Sequence, residues 1–163
     1  MGAGRKERAS SRPLIYTLGT STRGMDEFLA LLETKGIARV CDVRSFPASR
    51  RYPWFSRQSL AASLLDAGVD YVWLGERLGG YRKGGYAAHM ESPDFREGLE
   101  ELERLARDRP TAVVCAELLP WRCHRRFIAG ALQDRGWEVV HVIDADRDWM
   151  PSGRKEDLSL FEP

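Results

Sequence analysis

Five short apolar runs, separated by stretches of helical spacing, constrain this chain more than any other feature of its sequence. The runs are Leu14–Leu18, Ile37–Val43, Val69–Leu74, Ala112–Cys115 and Trp137–Ile143. Between them apolar residues recur every three or four positions: Phe28, Leu29, Leu31 and Leu32; Leu60, Leu64 and Leu65; Phe95, Leu99, Leu102 and Leu105. Gly36, Gly68 and Gly136 stand where helices stop, and Ser92-Pro93 is an N-cap followed by a first-turn proline. A helix between successive strands forces parallel pairing with right-handed crossovers. The expected fold is therefore α/β, a single three-layer α/β sandwich with a mainly parallel sheet of about five strands. We place this domain at residues 13–150. Residues 1–12, basic, polar and aperiodic, read as a disordered N-terminal tail, and 151–163 as a C-terminal tail.

Parallel strands end on one edge of their sheet, and open α/β sheets bind ligands at that edge. The fourth run is the most informative. Ala112–Cys115 is continuously apolar, the pattern of a strand buried on both faces. It breaks at Pro120 and re-emerges as a helix expected from about Cys123 to Arg135. Twelve residues, Cys115 to Arg126, carry two thiols, a carboxylate, an imidazole and three guanidiniums. The other strand ends add the polar turn Thr20-Ser21-Thr22-Arg23 and the pair Asp42 and Arg44. They also add an irregular stretch, Ser45–Phe55, with Arg50 and Arg51 among aromatic residues, and a glycine-rich basic loop, Gly75–Tyr86.

Composition narrows the function. Net charge is only +1, which argues against a general polyanion binder. Between Arg39 and Arg57, however, five arginines face one acid, Asp42, so a local anionic ligand is expected. No apolar run approaches the roughly 20 residues of a membrane span, and no apolar segment follows the basic N-terminus as in a secretory signal. Three cysteines, an odd number, argue against a disulfide framework and for a reducing cytoplasm.

The chemistry-bearing residues allow more than one reading. Cys123 and His124 at a helix start, beside Arg122, would have thiolate favoured by the macrodipole. Cys115 and His124 could form a nucleophile and base, or both cysteines could simply pack. The hydroxyls of Thr20 and Ser21 suit an anion or a helix cap. A metal is not expected. Neighbouring helical side chains point about 100° apart, and the Cys/His spacing matches no common zinc pattern. No motif names a cofactor.

Several segments together resemble a bacterial and archaeal family catalogued as domain of unknown function 488. They are Tyr16-Thr17-Leu18-Gly19-Thr20-Ser21-Thr22-Arg23, Asp42-Val43-Arg44-Ser45-Phe46-Pro47, Ser49-Arg50-Arg51 with Phe55, and Cys115-Ala116-Glu117 with Pro120-Trp121-Arg122-Cys123-His124-Arg125. The resemblance spans roughly Leu14 to Asp144 and implies an α/β fold without an established activity. The family's first motif more often reads Gly-His-Ser-Asn, whereas this chain has Gly19-Thr20-Ser21-Thr22, so no imidazole stands at that loop. A weaker likeness is to rhodanese-type sulfurtransferases and cysteine phosphatases, through Asp42-Val43-Arg44 and through Val113-Val114-Cys115 followed by Arg122.

The leading expectation is an enzyme acting at the sheet edge on an anionic, phosphate-bearing substrate, a nucleotide or nucleic-acid end. Thr20, Ser21, Arg23, Asp42, Arg44, Arg50, Arg51, Arg122 and Arg125 would bind it, and Glu117, His124, Cys115 and Cys123 would carry the chemistry. The alternatives are a non-catalytic nucleotide or nucleic-acid binder and a rhodanese-like or phosphatase-like cysteine-based transfer. The expected partner is an anionic small molecule or nucleic acid, with no membrane.

Overall fold

Strand β4 (Thr111–Cys115) is inserted between β1 (Leu14–Gly19) and β2 (Arg39–Asp42), and that insertion decides where a ligand can enter. We describe residues 12–151 from a computed structural model; residues 1–11 of the expected N-terminal tail and the last twelve residues lie outside the described part. Strands β3 (Asp70–Trp73) and β5 (Glu138–Asp144) flank this centre, and β6 (Arg147–Trp149) closes one edge. The order is β3-β2-β4-β1-β5-β6. All pairings are parallel except β5 with β6.

Both faces of the sheet are covered. On one side Leu18, Val40, Val114 and Val142 meet α1 (Met25–Lys35) and α2 (Arg57–Asp66) through Phe28, Leu31, Leu60 and Leu64. On the other, Ile15, Val113 and Val139 meet α5 (Pro93–Asp108) and α6 (Arg125–Asp134) through Leu99, Leu102, Ile128 and Leu132. Alternate residues of β4 feed opposite cores, as a doubly covered strand requires. This is the expected three-layer α/β sandwich. Among the described residues no helix is long and apolar enough to cross a membrane.

The adjacent strands β1 and β4 send their following helices, α1 and α6, to opposite faces. The chain thus diverges at their C-terminal ends and leaves a crevice there.

Four details differ from the sequence reading. A sixth strand, β6, follows the last of the five expected. Asp144 accepts from the Asp146 N–H and Arg147 Nε, turning the chain back so that Trp149 stacks on His141. The Gly75–Tyr86 loop is not simply loose: it contains α3 (Gly75–Leu78) and leads into α4 (Tyr86–Met90), with Leu78 and Tyr86 buried. Leu65, expected inward, is 78% exposed, because α2 buries only its Leu60–Leu64 stripe. Helix α6 begins at Arg125 rather than Cys123, because Pro120–Arg122 forms a 3-10 turn of its own.

Gly19 lets the crevice close at its base. A Cβ there would lie 1.8 Å from the Glu117 carbonyl oxygen. Gly19→Ala is therefore expected to cost about 3 kcal/mol of folding free energy, as overpacking against backbone does. Gly130→Ala, inside α6 with no atom within 4 Å of the added Cβ, should instead stabilise by about 1 kcal/mol. Urea denaturation of both variants checks the pair of signs.

Candidate active site

The loop from Ala116 to His124 is held from two directions. From the side, the β1–β4 pairing continues past both strands: the Thr20 N–H donates to the Cys115 carbonyl and the Ser21 N–H to that of Ala116, both at 2.8 Å. Ser21 adopts a left-handed φ of 51° to do so. From below, the guanidinium of Arg125, wholly buried, donates through Nη2 to the carbonyls of Glu117 and Leu118 at 2.8 and 2.7 Å. Its Nη1 reaches Thr17 Oγ1 at 3.3 Å.

Above this loop lies a cleft of about 730 Å³. Cys115, Cys123 and His124 line it, with Thr20, Ser21 and Thr22 to one side and Phe46 and Tyr81 among its further walls. The two thiols meet, Sγ to Sγ at 2.7 Å, and Cys123 Sγ is 3.6 Å from His124 Nδ1. The Val43 carbonyl accepts from His124 Nε2 at 3.0 Å, which puts the ring proton on Nε2 and leaves Nδ1 an acceptor facing Cys123. Gly80 packs so closely on this ring that a Cβ would come within 2.8 Å of Nδ1.

Electrostatics separates the two thiols. Burial works against charge on Cys115, but hydrogen bonding from Cys123, the Arg125 guanidinium and the backbone at Glu117 outweigh it. They bring the thiol from 9.0 down to about 7. Cys123 moves the other way: the hydrogen bond to Cys115, burial and the neighbouring negative charge hold its proton on. These directions favour negative charge on Cys115 over Cys123. This corrects the expectation that a helix start would activate Cys123, since Cys123 precedes α6 and its proton is claimed by Cys115. Cys41, the third cysteine, is buried in the core and pushed up to about 12, chiefly by desolvation.

Two histidines, His124 and His141, are held neutral by their surroundings. Burial, opposed by the Val43 bond and reinforced by Arg125 and Arg82, brings His124 down to about 4. His141, fully buried on β5, falls to about 3 through burial and the Arg125 charge. Thr17 accepts from Arg125 and turns its own O–H toward His141 Nδ1, leaving His141 Nε2 buried without a hydrogen-bond partner among the described residues. Sequence reasoning missed this Thr17–His141 pair. The signal was present: two polar residues in otherwise apolar strands, which pair in register.

Most of the expected anion-binding arginines are engaged elsewhere. Arg23, 5% exposed, donates to the carbonyls of Gly19 and Ile143 and pairs with Glu27, so it ties strand ends together. Asp42, expected in the binding site, is fully buried and does not line the cleft. It clamps Arg44 through two bonds of 2.9 and 2.8 Å and accepts from the Tyr71 hydroxyl. Arg44 borders the cleft, yet desolvation of its charge is overridden by Asp42 and its guanidinium is already paired. Arg125 lies beneath the loop rather than in the cleft. Arg50 and Arg51 are exposed and do not line it, and Arg51 sits over the Tyr52 ring. Arg122, exposed, makes no ion pair with the described residues and lines the cleft, as does the exposed Glu117. Thr20 and Ser21 are in place, with their backbone N–H groups spent on the β4 loop and the cleft walled by their residues. Sequence reading did not single out Thr22, Ser45 and Ser49, which add hydroxyl-bearing residues to the lining.

These residues fall inside a recognised unit. The chain belongs to the family described as domain of unknown function DUF488, whose model matches residues 24–132. The match takes in β2, β4, both cleft cysteines and most of α6, while the Gly19–Ser21 turn of β1 lies just before it. Searches of curated proteins and of solved structures found no match to the chain. Among the described residues of this DUF488 chain no group of three or more His, Cys, Asp and Glu side chains could hold a metal ion.

Two imidazoles kept neutral in the fold make its stability depend on pH. The unfolded chain takes up protons at both near pH 6.5, while the native state resists until about 4 and 3. Stability is therefore complete above 6.5 and falls with acidification, by about 2 kcal/mol per pH unit between pH 6 and 5. His141→Asn should roughly halve that slope. Urea midpoints measured from pH 7 to 4.5 test this, and an unchanged slope would contradict it.

Proposed function

We propose that this chain is an enzyme in which the Cys115 thiolate attacks an anionic substrate and carries away a sulfur atom. The observation that supports this reading is the Cys115–Cys123–His124 chain at the floor of an open cleft, with a guanidinium below it. A thiolate near pKa 7 is charged at neutral pH while keeping much of its nucleophilicity.

The charge distribution favours sulfur over phosphorus. Phosphoryl transfer depends on several cationic groups converging on the transferred group, and Arg23, Arg44 and Arg125 are occupied by the fold. Arg122 and the cleft hydroxyls suit a single anionic head, such as the sulfonate end of thiosulfate. In the first step Cys115 Sγ bonds to the outer sulfur of the donor. The S–S bond to the sulfonate breaks, its electron pair leaves as sulfite, and Cys115 becomes a persulfide. Cys123 supplies the hydrogen bond that stabilises the attacking thiolate. Glu117, the one acid lining the cleft among the described residues, serves as proton acceptor for an incoming thiol.

A nucleotide-binding role is the second reading. It is favoured by Phe46 and Tyr81, both more than 70% exposed and paired edge to face at 5.5 Å, which offer a stacking platform.

Thiosulfate should release one equivalent of sulfite and add one sulfur atom to the peptide bearing Cys115, read by mass spectrometry. Cys115→Ser is expected to abolish both. Arg122→Ala should raise the KM for thiosulfate roughly tenfold, the loss of one charge-assisted hydrogen bond. Sulfite release that persists in Cys115→Ser would overturn the proposal. Saturable nucleotide binding without sulfur transfer would favour the second reading.

A further inference from the structure

The second thiol is more than a hydrogen-bond donor. Cys123 Sγ stands 2.7 Å from Cys115 Sγ, and both residues line the same cleft while being largely buried. No other cysteine is present to compete, because Cys41 points into the core and does not line the cleft. A sulfurtransferase that only passes its sulfur to a second acceptor needs one cysteine. A nucleophilic sulfur with a protonated thiol against it has the composition of a dithiol–disulfide couple.

We propose that Cys123 is a resolving thiol, which attacks the sulfur-loaded Cys115, releases the carried atom as sulfide and closes a Cys115–Cys123 disulfide. The inference rests on the sulfur-transfer reading above and specifies what becomes of the sulfur.

The step balances. In the persulfide the negative charge has moved from Cys115 Sγ to the outer sulfur. The Cys123 proton, held until then by the Cys115 thiolate, passes to that outer sulfur, and Cys123 Sγ bonds to Cys115 Sγ. The bond between Cys115 Sγ and the outer sulfur breaks, and its electron pair leaves with the proton as HS⁻. The two cysteines are oxidised by two electrons and the sulfane sulfur is reduced to sulfide. With the first step included, one thiolate, one thiol and one thiosulfate give one disulfide, one sulfite and one HS⁻. Two equivalents of an external thiol reductant then restore the dithiol and leave as their own disulfide.

The surroundings suit the exchange. His124 Nδ1, 3.6 Å from Cys123 Sγ on the side away from the ring's Val43 anchor, lies beside the thiol while the thiol's one proton is directed at Cys115. Arg125, fixed by three oxygen acceptors, remains beneath the pair in every state. The 116–122 loop separates the two cysteines in sequence, so closing the disulfide draws together the ends of a short segment that is already pinned at its middle.

The test begins with the wild-type protein, reduced and freed of reductant, then given thiosulfate. The expected products are one sulfite and one sulfide per chain, with mass spectrometry showing a Cys115–Cys123 disulfide and two hydrogens lost. Dithiothreitol should make the reaction catalytic. Cys123→Ser, which keeps a hydroxyl donor beside Cys115, should accumulate the Cys115 persulfide and release no sulfide. Cys123→Ala is the second variant and should also accumulate persulfide without sulfide, more slowly because it lacks the donor to Cys115, with thermal melts of both confirming that they fold. Cys41→Ser should release sulfide as the wild type does. A persulfide that persists on wild-type Cys115 without sulfide or disulfide would overturn this inference and leave the sulfur-transfer reading standing. The absence of sulfite and persulfide from wild type and variants alike would overturn both.

Discussion

The buried guanidinium of Arg125 is the interaction on which the site depends. A charge taken out of water without partners is costly, and no carboxylate among the described residues pairs with this one. The carbonyls of Glu117 and Leu118 and Thr17 Oγ1 accept from its two Nη groups, its Nε has no hydrogen-bond partner among the described residues, and its charge favours a negative charge on Cys115. Each bond also does structural work. The carbonyl bonds fix the loop that follows β4 and join it to the first residue of α6, and the bond to Thr17 reaches β1. Burial is the main cause that keeps His124 and His141 neutral, and the same charge adds to it, so one side chain bears on the ionisation of three others.

Arginine therefore plays a different part here from the one its clustering suggests. Arg23 joins the ends of β1 and β5, Arg44 locks onto Asp42, and Arg39 on β2 spans Asp70, Asp108 and the Leu105 carbonyl. These are interior uses of a flat, multidentate donor that suits carbonyls and carboxylates alike. Arg122 alone combines exposure with a place in the cleft. The enrichment at the sheet edge reflects the number of carbonyls and carboxylates that a crossover point leaves to be satisfied, and only a small part of it faces the cleft.

That distinction explains what could be read from residues alone. The alternation of apolar runs and helical spacing prescribes the layers. The continuous apolar run of β4 marks a central strand, and its polar continuation marks the edge where the cleft lies. Cys115, Cys123, His124 and Glu117 were placed correctly at that edge because topology alone brings strand ends together. What was not legible depends on partners remote in sequence: Asp42 taking Arg44, Ile143 taking Arg23, Thr17 meeting His141. The 3-10 turn at Pro120–Arg122 moved Cys123 out of the helix, and its contact with Cys115 joins residues whose pairing the sequence does not show. Strand β6 escaped notice because three residues are too few to show a period, and its turn is set by the single side chain of Asp144. Membership of the DUF488 family accounts for the segment from β2 to α6, while the β1 turn that completes the cleft lies outside the matched residues.

The central claim is that the fold holds Cys115 as a thiolate at neutral pH. The most direct measurement is a titration of ultraviolet thiolate absorbance, taken as the difference between the wild-type protein and Cys115→Ser. The account predicts one thiolate appearing with a midpoint near pH 7. A midpoint at about 8.5 or above, that of an unperturbed thiol, would contradict it and leave Cys115 as a small buried side chain with no privileged chemistry.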